Sequence, residues 1–485
     1  MRGFVGRAGP LRELAGELAR ARAGRGRLVT VRGRRQVGKS WLVAEFLERY
    51  PGPSLFFDAH GYTETRELER FREALATSSL PSARLARSVT FRDWEAALLT
   101  AAAEASSDSP SVIVIDEFPE LCERRKGADG RPAPSPQEGS IRAAWRTLEQ
   151  LPVVVVLIGS DLTMMERLAT YGMPLYQRPT REMVIPPLSP LEAARLSGRT
   201  GAAALDAYLV TGGFPRLVGL WGDGGIEDVL TAGLADAESD LVRIGARILD
   251  AELPANVNAR SILSVIGAGE RTHSVIAART GIGPNNLTVP TGPLTVLAGK
   301  RIVASALPLS TRRSSDRRYA IIDPYLRFWL RFVEPHLGEI ERGLGPTLAS
   351  GFAADFRTFR GRAIEPLVRE ALARLSIGGD ATFDGAREVG AFWTRDGSVE
   401  LDLVGADRPE PPVGSVAFVG TVKWRESDLL DGSDIAELTR ASAAVSGASS
   451  ATRLVAVSRA GFARRIAAPI RKVEPEEILE AFPAD

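Results

Sequence analysis

One stretch, Gly33-Arg34-Arg35-Gln36-Val37-Gly38-Lys39-Ser40, constrains this chain more than any other. It fits the spacing G-x-x-x-x-G-K-S and falls between an apolar run, Leu28 to Arg32, and an amphipathic stretch, Trp41 to Glu48. A loop of this kind works only where a buried strand turns abruptly into a helix. The two glycines allow the tight wrap that aims successive backbone N–H groups at one point, and the helix N-terminus adds partial positive charge, so the loop suits phosphate oxygens. Lys39 is then placed to reach β and γ phosphates and Ser40 to ligate Mg²⁺. Only Lys39, Lys126, Lys300, Lys423 and Lys472 are lysines among 61 basic residues. Where arginine is written almost everywhere else, a lysine in this slot points to a need for a compact ammonium.

Around the loop, short apolar runs alternate with longer helical patterns. The runs are Leu28–Val31, Leu55–Phe57, Val112–Ile115, Val153–Ile158 and Met183–Ile185. Continuous rather than alternating apolar character predicts strands buried on both faces, hence a parallel α/β sheet with helices between its strands. The third run ends in Asp116 and Glu117. A strand end of that kind puts Asp116 beside the metal shell and Glu117 where it can polarise an attacking water. Ser160 and Asp161 close the next run; they read either as a polar group sensing the γ-phosphate or as a helix cap. Arg178 and Arg181 are candidate cations for transition-state charge, against the alternative of solvated surface.

Beyond the sheet, Ser189 to about Asp250 shows leucine and alanine at helical spacing, a helical lid. Residues 251–322 read as a helix-turn-helix with a wing. There Pro290 and Pro293 would break a regular recognition helix, so direct base readout is not expected. Arg312, Arg313, Arg317 and Arg318 in the presumed wing could track a phosphate backbone or simply be a solvated loop. Asp323 to Gly345 carries Tyr325, Phe328, Trp329 and Phe332 at helical intervals and reads as a connecting helix. The remainder returns to mixed α/β, with a helix through Phe359–Leu372, strands at Val399–Val404, Val416–Val422 and Leu454–Val457, and helices after Asp434 and Gly461. Arg124 to Ser140, rich in Gly, Pro and charge, reads as an exposed loop.

At 485 residues the chain suits roughly three domains at ~100–200 residues each. A net charge of +1 argues against a globally polyanion-binding protein. One cysteine, Cys122, can form no internal disulfide and reads as an inert thiol in a reducing cytoplasm. No signal peptide is visible, and the longest apolar run is far short of the ~20 residues a spanning helix needs, so the expectation is a cytoplasmic protein with no membrane partner.

Taken in order, Phe4-Val5-Gly6-Arg7, the phosphate loop, Ile115-Asp116-Glu117-Phe118, Leu157-Ile158-Gly159-Ser160, Pro174-Leu175-Tyr176-Gln177-Arg178 and Thr211-Gly212-Gly213-Phe214-Pro215 resemble the archaeal-type P-loop ATPases of the AAA+/STAND group. The resemblance implies ATP and Mg²⁺ as ligands, with Phe4 to Arg7 near the adenine, Ser160 as a sensor and Pro215 as a lid residue at the base. It also implies a winged helix and a C-terminal domain similar to PD-(D/E)XK nucleases, matched by Asp323-Pro324-Tyr325-Leu326-Arg327-Phe328-Trp329 and Val422-Lys423-Trp424-Arg425. The expected layout is an ATPase domain (1–188), lid (189–250), winged-helix-like domain (251–322), connecting helix (323–350) and α/β restriction-endonuclease-like domain (351–485).

In that last domain Asp402 and Lys423, with Glu365 on the preceding helix, stand where a nuclease holds metal and water. Thr421 stands where a glutamate is expected, and Glu400, on the same strand face as Asp402, could compensate. The expected function is an ATP-hydrolysing switch with Lys39, Glu117 and Arg178 catalytic, Ser40 and Asp116 on the metal, and residues 33–40, Ser160 and Pro215 on the nucleotide. The alternative is an ATP-gated nuclease using Asp402 and Lys423. Candidate partners are ATP, DNA or another nucleic acid, and further copies in a homo-oligomer, which a trans-acting arginine would require.

Overall fold

The computed structural model describes residues 5–122, 125–126, 132–160, 162–168, 170–222, 224–253, 256–267, 269, 271–466 and 469–483. Phe4 and Asp161 lie outside the described residues. Backbone contacts divide the chain into two compact units, 1–187 and 188–484.

The first unit is built on five parallel strands in the order Ser54–Asp58, Ser111–Asp116, Val153–Gly159, Arg27–Arg32, Arg181–Val184. The two central neighbours, Ser111–Asp116 and Val153–Gly159, are buried at every position. This is why their sequences are uninterrupted runs of Val, Ile and Leu. Helices fill the faces. Phe57, Phe71 and Trp94 interlock at 5.3–5.9 Å between ring centroids beneath the Leu55, Ile113 and Leu157 side chains. Each such fully buried side chain contributes on the order of 2 kcal/mol. Cys122 is buried in the same core, and burial pushes its thiol up to about 12, out of reach of redox chemistry at neutral pH.

The strand order matters more than the strand count. The strand that feeds the phosphate loop is fourth in the sheet, with Val153–Gly159, a later strand, between it and Ser111–Asp116. The chain therefore reverses its direction of winding beside the Arg27–Arg32 strand, and ligands in open α/β sheets bind beyond the carboxyl ends of strands at such a point.

Part of the stretch expected as a loop, Arg124 to Ser140, is instead ordered structure: a short antiparallel pair, Arg125–Lys126 with Pro132–Ala133, and then the helix Pro136–Leu148. Ser135 caps that helix, its hydroxyl accepting the Glu138 N–H at 3.1 Å. Pro136 sits at the first helical position, where its missing N–H would have had no partner anyway.

In the second unit, helices Pro190–Ser197, Gly201–Thr211, Pro215–Gly219, Ile226–Leu234 and Asp240–Glu252 come first. Helices Val257–Gly267, His273–Thr280, Pro284–Leu287 and Pro293–Gly299 follow, with a three-stranded antiparallel sheet in the order Arg271–Thr272, Arg318–Ile321, Val303–Ala306. The second helix is interrupted at Pro290 and Pro293, as the sequence predicts: Pro290 lies in a turn and Pro293 opens a new helix. Pro284 and Pro293 each begin a short helix.

The connecting helix is likewise segmented. Pro324–Phe328 is α-helical, Trp329–Val333 is a π turn, Glu334–His336 is 3₁₀, and Leu337–Glu341 is α-helical again. Pro335, which has no N–H to give, sits at that change of winding. Its aromatic face is buried. Tyr325 Oη donates to Leu241 O and accepts the Gly245 N–H, both at 2.9 Å, while Trp329 Nε1 donates to Val242 O at 2.7 Å.

The last sheet runs Glu388–Trp393, Glu400–Ala406, Val416–Lys423, Arg453–Ser458, Arg471–Val473. Its first three strands are antiparallel and its last two join in parallel, the helix Gly432–Ser442 serving as the crossover. Two helices, Gly345–Ala363 and Glu365–Ile377, replace the single one expected through Phe359–Leu372. The edge strands Glu388–Trp393 and Arg471–Val473 were not foreseen. Among the described residues after Gly461 the only helix is Pro475–Glu480. No helix among the described residues is long and apolar enough to cross a membrane.

Candidate functional site

The phosphate loop takes the wrapped form its glycines allow. Gly38 has φ 92° and caps the helix Lys39–Arg49, and Gln36 is also left-handed at φ 66°. Gly33 passes so close to the neighbouring chain that a Cβ there would stand 2.4 Å from the Ile185 carbonyl oxygen. A brace comes from outside the motif. Arg7, buried and left-handed at φ 64°, donates to Val37 O at 3.2 Å and Pro186 O at 2.5 Å.

Lys39 lies inside the loop, 5% exposed, its ammonium donating to Gly33 O and Arg34 O at 3.0 Å each and to Ser160 Oγ at 2.9 Å. The Ser160 hydroxyl donates onward to Glu117 Oε1 at 2.7 Å. A continuous chain of three side chains thus joins the ends of three adjacent strands. Glu117 itself is left-handed, φ 47° and ψ 44°, which swings it off the strand direction. Burial lowers the Lys39 ammonium to about 8, although the carboxylates of Glu117 and Asp116 pull it back up.

Asp116 is 5% exposed and accepts the Glu117 N–H at 2.8 Å. Burial pushes its carboxyl up, against hydrogen bonds from the Ser40 hydroxyl and the Glu117 amide, and the neighbouring Glu117 and Asp58 push it further. A hydroxyl and a carboxylate side by side at the mouth of a phosphate loop fit Mg²⁺, which prefers few protein oxygens beside its waters and the substrate's phosphates. Asp58 is directly opposite Asp116 in register and pairs with His60 at 3.2 Å. It escaped the sequence reading, although the Ser54–Asp58 run ends in an acid just as Ser111–Asp116 does. Arg35 is exposed and lies 3.8 Å from Glu120.

Arg178 is not brought to this cluster within the chain. It is exposed and precedes the strand Arg181–Val184, whose lead-in is fixed by Thr180 N–H donating to Leu28 O at 2.7 Å. Leu28 lies near the start of the Arg27–Arg32 strand and the phosphate loop follows its far end, so the chain around Arg178 enters at the opposite end of the strands. Arg181 lies at that same end, 3.5 Å from Glu13 and 4.0 Å from Glu17, as a structural cation. Pro215 starts the helix Pro215–Gly219 in the second unit.

In the C-terminal sheet, Glu365 and Lys423 line one pocket of about 460 Å³, together with Arg357, Arg360, Arg362 and Arg425. Asp402 is turned to its own neighbours: its carboxylate accepts the Thr421 hydroxyl at 3.0 Å and the Val422 N–H at 2.7 Å. Burial raises its carboxyl, with those two hydrogen bonds opposing. Glu365 is held by Arg369 at 2.6 Å. Glu400 faces Arg318 at 2.5 Å and Arg362 at 3.9 Å, and Lys423 faces Glu437 at 3.3 Å and Asp434 at 3.8 Å. Among the described residues, no three His, Cys, Asp or Glu side chains gather as a metal cage would need.

The four wing arginines are also divided. Arg318 stacks 4.4 Å over Trp393 and Arg317 donates to Ser305 at 2.7 Å, while Arg312 and Arg313 are exposed.

The parallel sheet and its loop define a P-loop nucleotide-binding fold. Residues 3–157 match the family described as AAA ATPase domain, and residues 329–436 match one described as archaea bacterial proteins of unknown function. The chain therefore carries a AAA ATPase domain followed by a domain of that second family. It is 23% identical over 406 residues to the uncharacterized protein MJECL04 of Methanocaldococcus jannaschii, covering 82% of this chain and 83% of that one. Among solved structures it is similar to the Walker-type ATPase PABY2304 of Pyrococcus abyssi (19% identity, 68% of this chain and 96% of that one, TM-score 0.44). It is also similar to the ORC2 protein of Aeropyrum pernix, solved as ADPNP–ADP complexes (13% identity, 70% and 97%, TM-score 0.43).

Proposed function

We propose that the chain is an ATP-hydrolysing switch. The observation that carries this reading is the Lys39–Ser160–Glu117 hydrogen-bonded chain, set across three strand ends with Asp116 and Ser40 beside it. In this reading the loop amides of residues 33–40 and Lys39 hold the β and γ phosphates, and Ser40 and Asp116 hold Mg²⁺. The metal supplies charge neutralisation at the phosphates. Glu117 orients and deprotonates the attacking water, and Ser160 positions Glu117 and reports on the γ-phosphate.

Arg178, exposed on the stretch that enters at the opposite end of the strands, would act on the phosphate of a second copy, which makes a homo-oligomer part of the proposal. Pro215 would meet the base from the lid. The second unit would act as lid, winged helix, connector and nuclease-like domain, receiving the nucleotide state and engaging DNA or another nucleic acid. Asp402, already satisfied by Thr421 and Val422, and Glu365, held by Arg369, favour recognition over cutting there.

The test is Mg²⁺-dependent ATP turnover by the unaltered chain, Glu117→Gln and Lys39→Ala, with and without DNA, following DNA integrity in the same tubes. Glu117→Gln should retain binding and lose turnover by about 100-fold or more. Lys39→Ala should lose binding. Full turnover in either variant would sink the site assignment, and DNA cleavage abolished by Asp402→Ala would replace the switch with the nuclease.

A further inference from the structure

Asp206 is an acid in an unexpected place. It lies on the helix Gly201–Thr211, in a stretch otherwise made of Ala, Leu, Val and Tyr, yet it is only 9% exposed. Four donors from the C-terminal sheet domain converge on it. Trp424 Nε1 donates to Oδ1 at 2.8 Å, and Oδ2 receives Arg360 at 2.9 Å and two nitrogens of Arg459 at 3.0 and 3.1 Å. These partners come from three elements: Trp424 follows the strand Val416–Lys423, Arg459 follows Arg453–Ser458, and Arg360 ends the helix Gly345–Ala363. Glu426 closes the ring, its carboxylate taking Arg360 on one side and Arg459 at 3.3 Å on the other.

This ring forms one wall of the 460 Å³ pocket, whose lining includes Arg360, Trp424 and Glu426. The lining carries five cations (Arg357, Arg360, Arg362, Lys423, Arg425) and two acids. Both acids are already engaged, Glu365 by Arg369 and Glu426 by the ring. Arg362 is 80% exposed and lies 3.9 Å from Glu400. Arg360 keeps a buried Nε that meets no acceptor among the described residues. Of the two carboxylates that share Arg360 and Arg459, Asp206 is 12% exposed in its side chain and Glu426 is 55% exposed. Glu426 can therefore swing into water at little desolvation cost, and Asp206 cannot.

We propose that the pocket binds a phosphoryl anion in the place of the Glu426 carboxylate, and that Asp206 makes the helix Gly201–Thr211 the sensor of that event. A phosphoryl group carries more negative charge than the Glu426 carboxylate it displaces, so it draws Arg360 and Arg459 further from Asp206 and weakens the grip on the helix. Arg357 and Arg362 supply the rim contacts. This deepens the reading of the pocket as a recognition site and assigns it a regulatory output: occupancy loosens the segment that leads into Thr211-Gly212-Gly213-Phe214-Pro215. The phosphoryl group could belong to a nucleic-acid strand or to a free nucleotide.

The experiment uses full-length Lys39→Ala protein, so that the phosphate loop does not compete. Inorganic pyrophosphate and a short single-stranded oligonucleotide are titrated separately by calorimetry. Replacing Arg357 and Arg362 together by alanine should weaken binding about tenfold or more, and Glu426→Gln should tighten it about tenfold, the scale of one charge-assisted contact. Hydrogen exchange in residues 201–211 should accelerate on binding, and Asp206→Asn should tighten binding and abolish that acceleration. A residue with a merely structural role would lower the melting temperature without tightening anything. An oligonucleotide more than about tenfold tighter than pyrophosphate identifies a strand as the source; equal affinity identifies a free nucleotide. Pyrophosphate binding that ignores Arg357 and Arg362, or exchange in 201–211 that ignores the ligand, overturns the proposal. ATP turnover by the unaltered chain, measured alongside, fails or succeeds independently and tests only the ATPase reading.

Discussion

Lys39 is charged in a place that burial makes unfavourable for charge, and this gives the phosphate loop a pH dependence. With its ammonium lowered to about 8, the free protein loses that positive charge as pH rises through about 8, whereas phosphate oxygens packed against Lys39 hold the proton on. The group binds more protons in the complex than in the free protein above that pH, so nucleotide affinity should fall there, by at most about tenfold per pH unit, and stay level below it. Calorimetry near pH 8.5 in two buffers of different ionisation heat should register about three quarters of a proton taken up per nucleotide. No uptake would contradict the placement of Lys39. Gly33→Ala tests the loop in another way, because its Cβ would collide with the Ile185 carbonyl. Nucleotide affinity should drop by more than about tenfold, with stability lower by about 1–3 kcal/mol, seen as a fall in melting temperature.

Lys39, Ser40, Asp116 and Glu117 could be placed from sequence because each sits at the end of a run whose apolar pattern announces a buried strand. Ser160 could be placed only as a possibility, since its meeting with Lys39 spans 121 residues and depends on strand order. Arg7 was harder still. The resemblance places Phe4 to Arg7 near the adenine, but the brace Arg7 makes is not legible, because its partners lie 30 and 179 residues away.

Among the elements, proline marks where helices begin more often than where they break. Pro136, Pro190, Pro215, Pro284, Pro293, Pro324 and Pro475 all sit in the first turn of a helix. A chain with 31 prolines offers many such places, and in isolation each one looks like a break. The edge strand Glu388–Trp393 was hidden for a different reason: its burial is irregular and a register shift interrupts its pairing, which blurs the alternation a strand should show. The connector's aromatic residues were legible as core. Their fit is testable at Gly245, where any Cβ would stand 2.3 Å from Trp329. Gly245→Ala should destabilise the second unit by about 1–3 kcal/mol, whereas a surface glycine such as Gly351 should tolerate alanine. Tyr325→Phe removes one donor and one acceptor from a buried site and should cost about 1–3 kcal/mol. Chemical denaturation followed by tryptophan fluorescence checks both.

At the scale of the whole molecule, the two compact units predict two calorimetric transitions. ATP at about 100 times its dissociation constant should stabilise the first unit by about 2.7 kcal/mol and shift only the transition that Lys39→Ala makes insensitive. A single transition shifted as one would show instead that the units unfold together. The phosphate loop also has a mechanical neighbour. The guanidinium of Arg7 grips Val37 in the loop and Pro186 in the outgoing chain, two residues before the second unit begins at Leu188. The loop and the exit peptide are therefore tethered to the same side chain. Any tug that a seated phosphate gives the loop travels to the chain's point of departure through one residue, with no helix or sheet needing to bend on the way.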